Sequence, residues 1–204
     1  MASVSLVNYG LGNIHAFANI YRRLGIDVAI VEDSTGIAAA DRLVLPGVGA
    51  FDWAMNRLDA SGIRDALDEA VLGRRVPVIG VCVGMQMMAK TSDEGRLPGL
   101  GWIDAHVARF DHAETHRYPL PHMGWNDVQP RSGACLFHGI EAPRYYFLHS
   151  YHVVPARDED VLASADYGAP FTAAVRKDNI IGTQFHPEKS HQWGIDLLRN
   201  FAEL

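Results

Sequence analysis

The sequence has little cysteine: two in 204 residues, Cys82 and Cys135. Two cysteines cannot make a disulfide scaffold. It also lacks any apolar run long enough to cross a bilayer, so no membrane-spanning helix is expected. The stretch Met1 to Asn8 has neither the basic flank nor the long apolar segment of a signal peptide. Together these absences predict a cytoplasmic protein with no membrane partner. Positive charge is in deficit, with 18 Lys and Arg against 24 Asp and Glu and a net charge of −6. Such a chain is a poor general binder of nucleic acid. No GxxxxGK[ST] phosphate loop and no His-Glu-x-x-His metal helix occurs, so neither a cofactor nor a metal is expected. His112 and His116 have helical ligand spacing, but Pro119 and Pro121 place them in a loop, which is read over residues 111 to 122. Repeats and linkers are also missing. What is present, 48% apolar and 21% charged residues, suits one globular domain over residues 1–204.

The first half alternates strand and helix. Val4 to Val7 reads as a buried strand. Asn13 caps a helix with Ile14, Phe17, Ala18, Tyr21 and Leu24 on one face, stopped by Gly25. Strands follow at Ile26 to Val31, Leu43 to Leu45 and Val76 to Val81. A tight glycine turn is expected at Pro46 to Gly49, and a helical stretch from there through Leu72. A short helical element is expected over Gly84 to Lys90. This alternation is the signature of an α/β fold with a mostly parallel sheet and helices on both faces. From Trp102 onward the pattern becomes short alternating runs: Trp102 to Phe110, Tyr145 to Val154, Val161 to Ala165, Phe171 to Val175 and Ile180 to Phe185. These predict antiparallel strands added to the sheet. Trp193, Leu197, Leu198 and Phe201 give a closing helix.

The sharpest chemical feature is Gly80-Val81-Cys82-Val83-Gly84, directly after a strand and before a helix. With 19 glycines and two cysteines, chance supplies only about 0.02 such matches to the motif. It is the cysteine form of a nucleophile elbow. Its glycines permit a strained turn that pushes the thiol out at the top of the sheet, near a helix N-terminus that favours thiolate. The free N–H groups of that helix end can receive an oxyanion. The plain alternative is a core cysteine in a glycine-rich turn. Gln184-Phe185-His186-Pro187-Glu188 follows another apolar strand and supplies a base with an orienter. Pro187 biases His186 toward extended chain, where residues two apart share a side, so Glu188 can hold the His186 ring. Pro46 to Gly49 follows a third strand. Its glycines suit the second half of an oxyanion hole, or an ordinary strand-to-helix turn. Cys135 has no local base and reads as structural. Trp125, in a Gly-Trp-Asn turn, suits either core or a protein interface.

Taken together, these motifs resemble the class I (triad) glutamine amidotransferases. Within them the chain is similar to the glutaminase subunits of imidazole glycerol phosphate synthase. The likeness runs nearly end to end. It includes Asn8 to Asn13, Pro46 to Gly49, Gly84-Met85-Gln86, Glu94-Gly95, Pro121 to Asn126, His149-Ser150-Tyr151 and Gln184 to Ser190. The resemblance implies that Cys82 attacks the side-chain amide of L-glutamine, that His186 is the acid and base, and that Glu188 orients His186. It assigns backbone groups of Val48, Gly49 and Val83 to the oxyanion hole. Gly47, Gln86, Glu94, Ser150 and Tyr151 are assigned to glutamine binding. It also implies a heterodimer with a (β/α)₈-barrel cyclase subunit that consumes the ammonia, with Asn13, Trp125 and Lys189 at the interface. The chain departs from the family pattern in Val83, where a leucine-type residue is expected, and in Asn8, where an aspartate is expected.

Three alternatives stay open. Leu97 to Trp102 and Val83 to Gln86 are also similar to paralogues that feed ammonia to surface-sugar synthases. A stand-alone cysteine hydrolase on the same elbow would not need Gln86 and Glu94. A non-catalytic regulatory module would not need an intact Cys82, His186 and Glu188. Nothing in 204 residues is left over for an acceptor domain, which favours a subunit that hands its product on.

Overall fold

The computed structural model describes residues 3–110 and 117–204. The expected loop over residues 111–122 therefore lies partly outside the described residues, as do His112 and His116. In chain order the strands and helices are β1 (Val4–Val7), α1 (Ile14–Arg23), β2 (Val28–Val31), α2 (Ser34–Ala38), β3 (Leu43–Gly47), α3 (Phe51–Ser61), α4 (Arg64–Asp68), β4 (Val78–Cys82) and α5 (Val83–Met87). Then come β5 (Thr91–Ser92), β6 (Ala105–Arg109), β7 (His122–Asp127), β8 (Gln129–Pro130), β9 (Arg144–His149) and β10 (Tyr151–Pro155). The last are β11 (Val161–Asp166), β12 (Pro170–Lys177), β13 (Ile180–Thr183) and α6 (His191–Glu203).

An eight-stranded sheet runs β2-β1-β3-β4-β13-β12-β11-β8. The first five strands are parallel and the last three antiparallel. The central strands β1, β3, β4 and β13 are buried along their whole length. That is why they are mostly apolar on both faces rather than alternating, with Ser5 and Thr183 as buried exceptions. Helix α1 buries Ile14, Phe17, Ala18 and Tyr21, and the Asn13 side chain accepts a hydrogen bond from the Ala16 N–H at 3.3 Å. Gly25 follows with φ of 69°, a left-handed stop that a side chain disfavours. Two smaller sheets, β10-β6-β5 and β7-β9, sit beside the large one.

Four expectations need correction. The helix expected through Leu72 is split by Gly62, which takes φ of 72° and caps α3. Pro46 and Gly47 belong to β3 rather than to a turn. Proline is tolerated there because β1 has already ended its pairing with β3 at Val44. On that side the Pro46 carbonyl accepts the Tyr9 hydroxyl at 2.7 Å instead. The run Tyr145 to Val154 is two strands broken at Ser150, with β9 pairing β7 and β10 pairing β6. Finally, residues 122 to 127 form β7, so Trp125 sits on a strand and not in a turn.

Candidate active site

Strands β3, β4 and β13 end at one level. Gly47 stands beside Cys82, and Thr183 stands beside Val81. The next residue of each chain therefore reaches the C-terminal edge of the sheet together, where open α/β sheets bind ligands. Cys82 has φ of 56° and ψ of −113°, a conformation that only a tightly held elbow retains. Two glycines hold it. A Cβ on Gly84 would come within 2.0 Å of the Leu45 carbonyl oxygen, and one on Gly47 within 2.3 Å of the Gly84 nitrogen. The start of α5 therefore lies directly against β3. Gly47, expected among the glutamine contacts, does not line the cleft; it provides this close approach.

A cleft of about 330 Å³ opens above the elbow. Cys82, His186, Val48, Gly49, Val83, Gln86, Glu94, Ser150, Tyr151 and Lys189 all border it. Nε2 of Gln184 lies 3.8 Å from the Cys82 sulfur and donates to it, and the Leu148 carbonyl lies 3.9 Å away. His186 and Glu188 are joined by a 2.9 Å contact between Nδ1 and Oε1, both side chains being under 5% exposed. The sequence predicts this pair through extended chain. The structure reaches it through a 3₁₀ turn at Pro187–Lys189 instead. Ser190 fixes that turn: its hydroxyl donates to the His186 carbonyl at 2.6 Å and accepts from the Tyr146 N–H at 3.0 Å. The His186 N–H also donates to the Tyr146 carbonyl, which ties the turn to β9.

Burial disfavours a charged His186 ring. Contacts with the Cys82 thiol and the Glu188 carboxylate outweigh it and push the imidazole up to about 10. The shift favours the imidazolium, the form that can give up a proton. Burial, and more weakly the Asp52 charge, push the Glu94 carboxyl above the usual range, while the Phe51 N–H at 2.9 Å pulls it back. Asp52 pins the segment that carries Glu94. Its carboxylate accepts the N–H groups of Arg96 and Leu97 at 2.9 to 3.0 Å, and a side chain on Gly95 would collide with it. The Gln86 amide is buried and donates from Nε2 to the Tyr151 carbonyl and to Oε1 of Gln184, both at 3.1 Å.

Of the three expected interface residues, Lys189 is at the cleft rim, 5.8 Å from the centre of the Tyr146 ring. Trp125 is 37% exposed and stacks on His191 at 5.1 Å. Asn13 is away from the cleft at the start of α1. Gln184 and His149 receive no role from the sequence, yet both reach the site. Gln184 precedes His186 by two residues, so the period-two reasoning that selects the His-Glu pair could also find it.

Over residues 5–204 the sequence matches the family Glutamine amidotransferase class-I. The chain belongs to that family. It is 50% identical over 203 residues to the imidazole glycerol phosphate synthase subunit HisH of Bdellovibrio bacteriovorus, covering 98% of this chain and all of that one. The HisH subunit of Leptospira interrogans is 46% identical with the same coverage. Among solved structures, a glutamine amidotransferase superimposes with a TM-score of 0.74. The match covers 98% of each chain at 22% identity, a likeness of fold.

Proposed function

We propose that this chain, as one domain over residues 1–204, is the cytoplasmic glutaminase subunit of an imidazole glycerol phosphate synthase. It hydrolyses L-glutamine to glutamate and ammonia. The ammonia passes to a (β/α)₈-barrel cyclase subunit in a heterodimer, which makes imidazole glycerol phosphate and aminoimidazole carboxamide ribotide in histidine biosynthesis. One observation carries the reading: Cys82 and His186 border one cleft, with His186 held by the buried Glu188, in a chain 50% identical to a HisH subunit.

In this mechanism His186 holds the Cys82 proton, and the Cys82 thiolate attacks the side-chain amide carbon of glutamine so that a C–S bond forms. Negative charge moves to the amide oxygen, which the backbone N–H groups of Val83 and of Val48 or Gly49 receive. The His186 imidazolium protonates the amide nitrogen as the C–N bond breaks, and ammonia leaves. Water then attacks the thioester, His186 takes its proton, and the C–S bond breaks to free glutamate. Glu188 keeps the ring oriented throughout and stabilises it whenever it carries the proton. Gln86, Glu94, Ser150 and Tyr151 hold the amino-acid end of the substrate, and Gly47 lets the elbow and the Val48–Gly49 segment lie side by side.

A partner surface adjoins the mouth. On β7 and β9, Met123 lies opposite Leu148 and Trp125 opposite Tyr146, which puts all four on one face. Met123 is 65% exposed and Leu148 38%, an apolar face beside the cleft that suits a protein partner. Lys189 and Trp125 belong to this face, and Asn13 extends the interface to α1.

A diazoketone analogue of glutamine tests the chemistry. In the complex with the cyclase, one adduct is expected, mapped to Cys82 and suppressed by excess glutamine. Labelling that spares Cys82 would contradict the assignment.

A further inference from the structure

His122 on β7 and His149 on β9 face each other directly across the strand pair, on the side opposite to the exposed Met123 and Trp125. Both are buried. Nδ1 of His122 lies 2.9 Å from Nε2 of His149, and Nδ1 of His149 lies 2.8 Å from the Tyr151 carbonyl oxygen. A carbonyl only accepts, so Nδ1 of His149 carries the proton. In a neutral ring Nε2 is then an acceptor, so Nδ1 of His122 donates to it. Nε2 of His122 in turn accepts from Nδ2 of Asn126 at 3.3 Å, whose other hydrogen goes to the Asp166 carbonyl at 2.8 Å. The surroundings agree with neutral rings: Phe147, Tyr167, Phe171 and Phe110 pack around the pair. Burial holds both imidazoles below the ordinary range, His122 at about 4.

The Tyr151 carbonyl also orients the catalytic side of the site. It accepts from Nε2 of Gln86, which fixes which end of that amide faces it. The same nitrogen donates to Oε1 of Gln184, and this turns Nε2 of Gln184 toward the Cys82 sulfur. Every amide in the series has one orientation that satisfies its neighbours, set by an acceptor-only carbonyl at its base.

We propose that His122 and His149 are positioning residues for Cys82. As two Nδ1–H rings they hold the Tyr151 carbonyl, and through it the amides of Gln86 and Gln184, so that Gln184 donates a hydrogen bond to the sulfur. The proposal rests on the reading of Cys82 as the nucleophile.

Nitrogen NMR of the full wild-type chain tests it without any variant. Both rings are expected to carry the proton on Nδ1, whereas free histidine prefers Nε2. Peptide mass spectrometry at Cys82 then follows alkylation by iodoacetamide. His122→Phe keeps the stacking and is expected to melt near the wild type, yet to slow alkylation roughly three- to tenfold, the loss of one hydrogen bond's influence. His122→Asn, whose Nδ2 replaces the Nδ1 donor, is expected to return the rate to within about twofold. Gln184→Met should slow alkylation similarly, and combining it with His122→Phe should add little more. A proton on Nε2 of either ring, wild-type alkylation in His122→Phe, or additive effects in the double variant would overturn the proposal. These readouts use no glutamine. A wild-type complex inert toward glutamine would therefore sink the proposed function separately.

Discussion

Replacing Glu188 by Gln changes one charge and almost no volume. In the wild type the His186 ring lies at about 10 against an ordinary 6.5, although burial works in the other direction. At about 1.36 kcal/mol per pH unit, the net preference for imidazolium is on the order of 4–5 kcal/mol, shared between Cys82 and Glu188. Because burial opposes the shift, Cys82 and Glu188 together supply more than this net value, and Glu188→Gln should lower the midpoint by at least about one unit, or ~1.4 kcal/mol. The Gln oxygen still accepts from Nδ1, so the ring keeps its place while losing its charge partner. Proton NMR of the His186 ring across pH 5 to 11 reads this directly. The same change removes the group that stabilises the imidazolium, so glutamine turnover by the complex should fall about 10²- to 10⁴-fold. Stability follows with a definite sign. A ring raised above 6.5 contributes stability that is complete below pH 6.5 and lost as pH climbs through about 10. The stability gap between wild type and Glu188→Gln should therefore shrink as pH rises from 6 to 10. A variant ring still titrating near 10, or turnover within about twofold of wild type, would refute this account of the pair.

Three further predictions follow from packing and surface. Gly84→Ala forces a Cβ against the Leu45 carbonyl at 2.0 Å and should cost about 1–3 kcal/mol in chemical denaturation; an unchanged midpoint would contradict the close packing of elbow and strand. Asp52→Ala frees the segment carrying Glu94 and should raise the KM for glutamine about tenfold while kcat stays within about threefold, because Asp52 touches no reacting atom. Steady-state kinetics in the complex decides that split. Trp125→Ala should weaken binding to the cyclase by about tenfold or more in calorimetry, with the free chain's melting temperature little changed. An unaltered Kd would remove Trp125 from the interface.

What is legible in the sequence is local. Val4–Val7 and the capped helix after Asn13 are found because burial periodicity and capping act within one turn or strand. The elbow is legible because its two glycines and cysteine are close together in the chain, and the His-Glu pair because it spans three residues. What escapes depends on distant chain. The β7 strand exists through pairing with β9, whose partner residues lie 17 to 27 positions further on, and only His122 along it is buried, so its own pattern is faint. The break at Ser150 is invisible in an unbroken alternating run, since the two halves diverge to different partners. The packing role of Gly47 is also invisible locally, because the Gly84 nitrogen that leaves no room for a Cβ there lies in another helix. Helix α2 is five residues long and capped by Asp33, too short for a periodic signal.

The most direct test of the central claim is ammonia release from glutamine by this chain, with and without the cyclase and its ribonucleotide substrate, with Cys82→Ala as the blank. Turnover that rises strongly with the loaded cyclase and vanishes in Cys82→Ala is the predicted result. Turnover that persists in Cys82→Ala, or that ignores a matched cyclase, would contradict it.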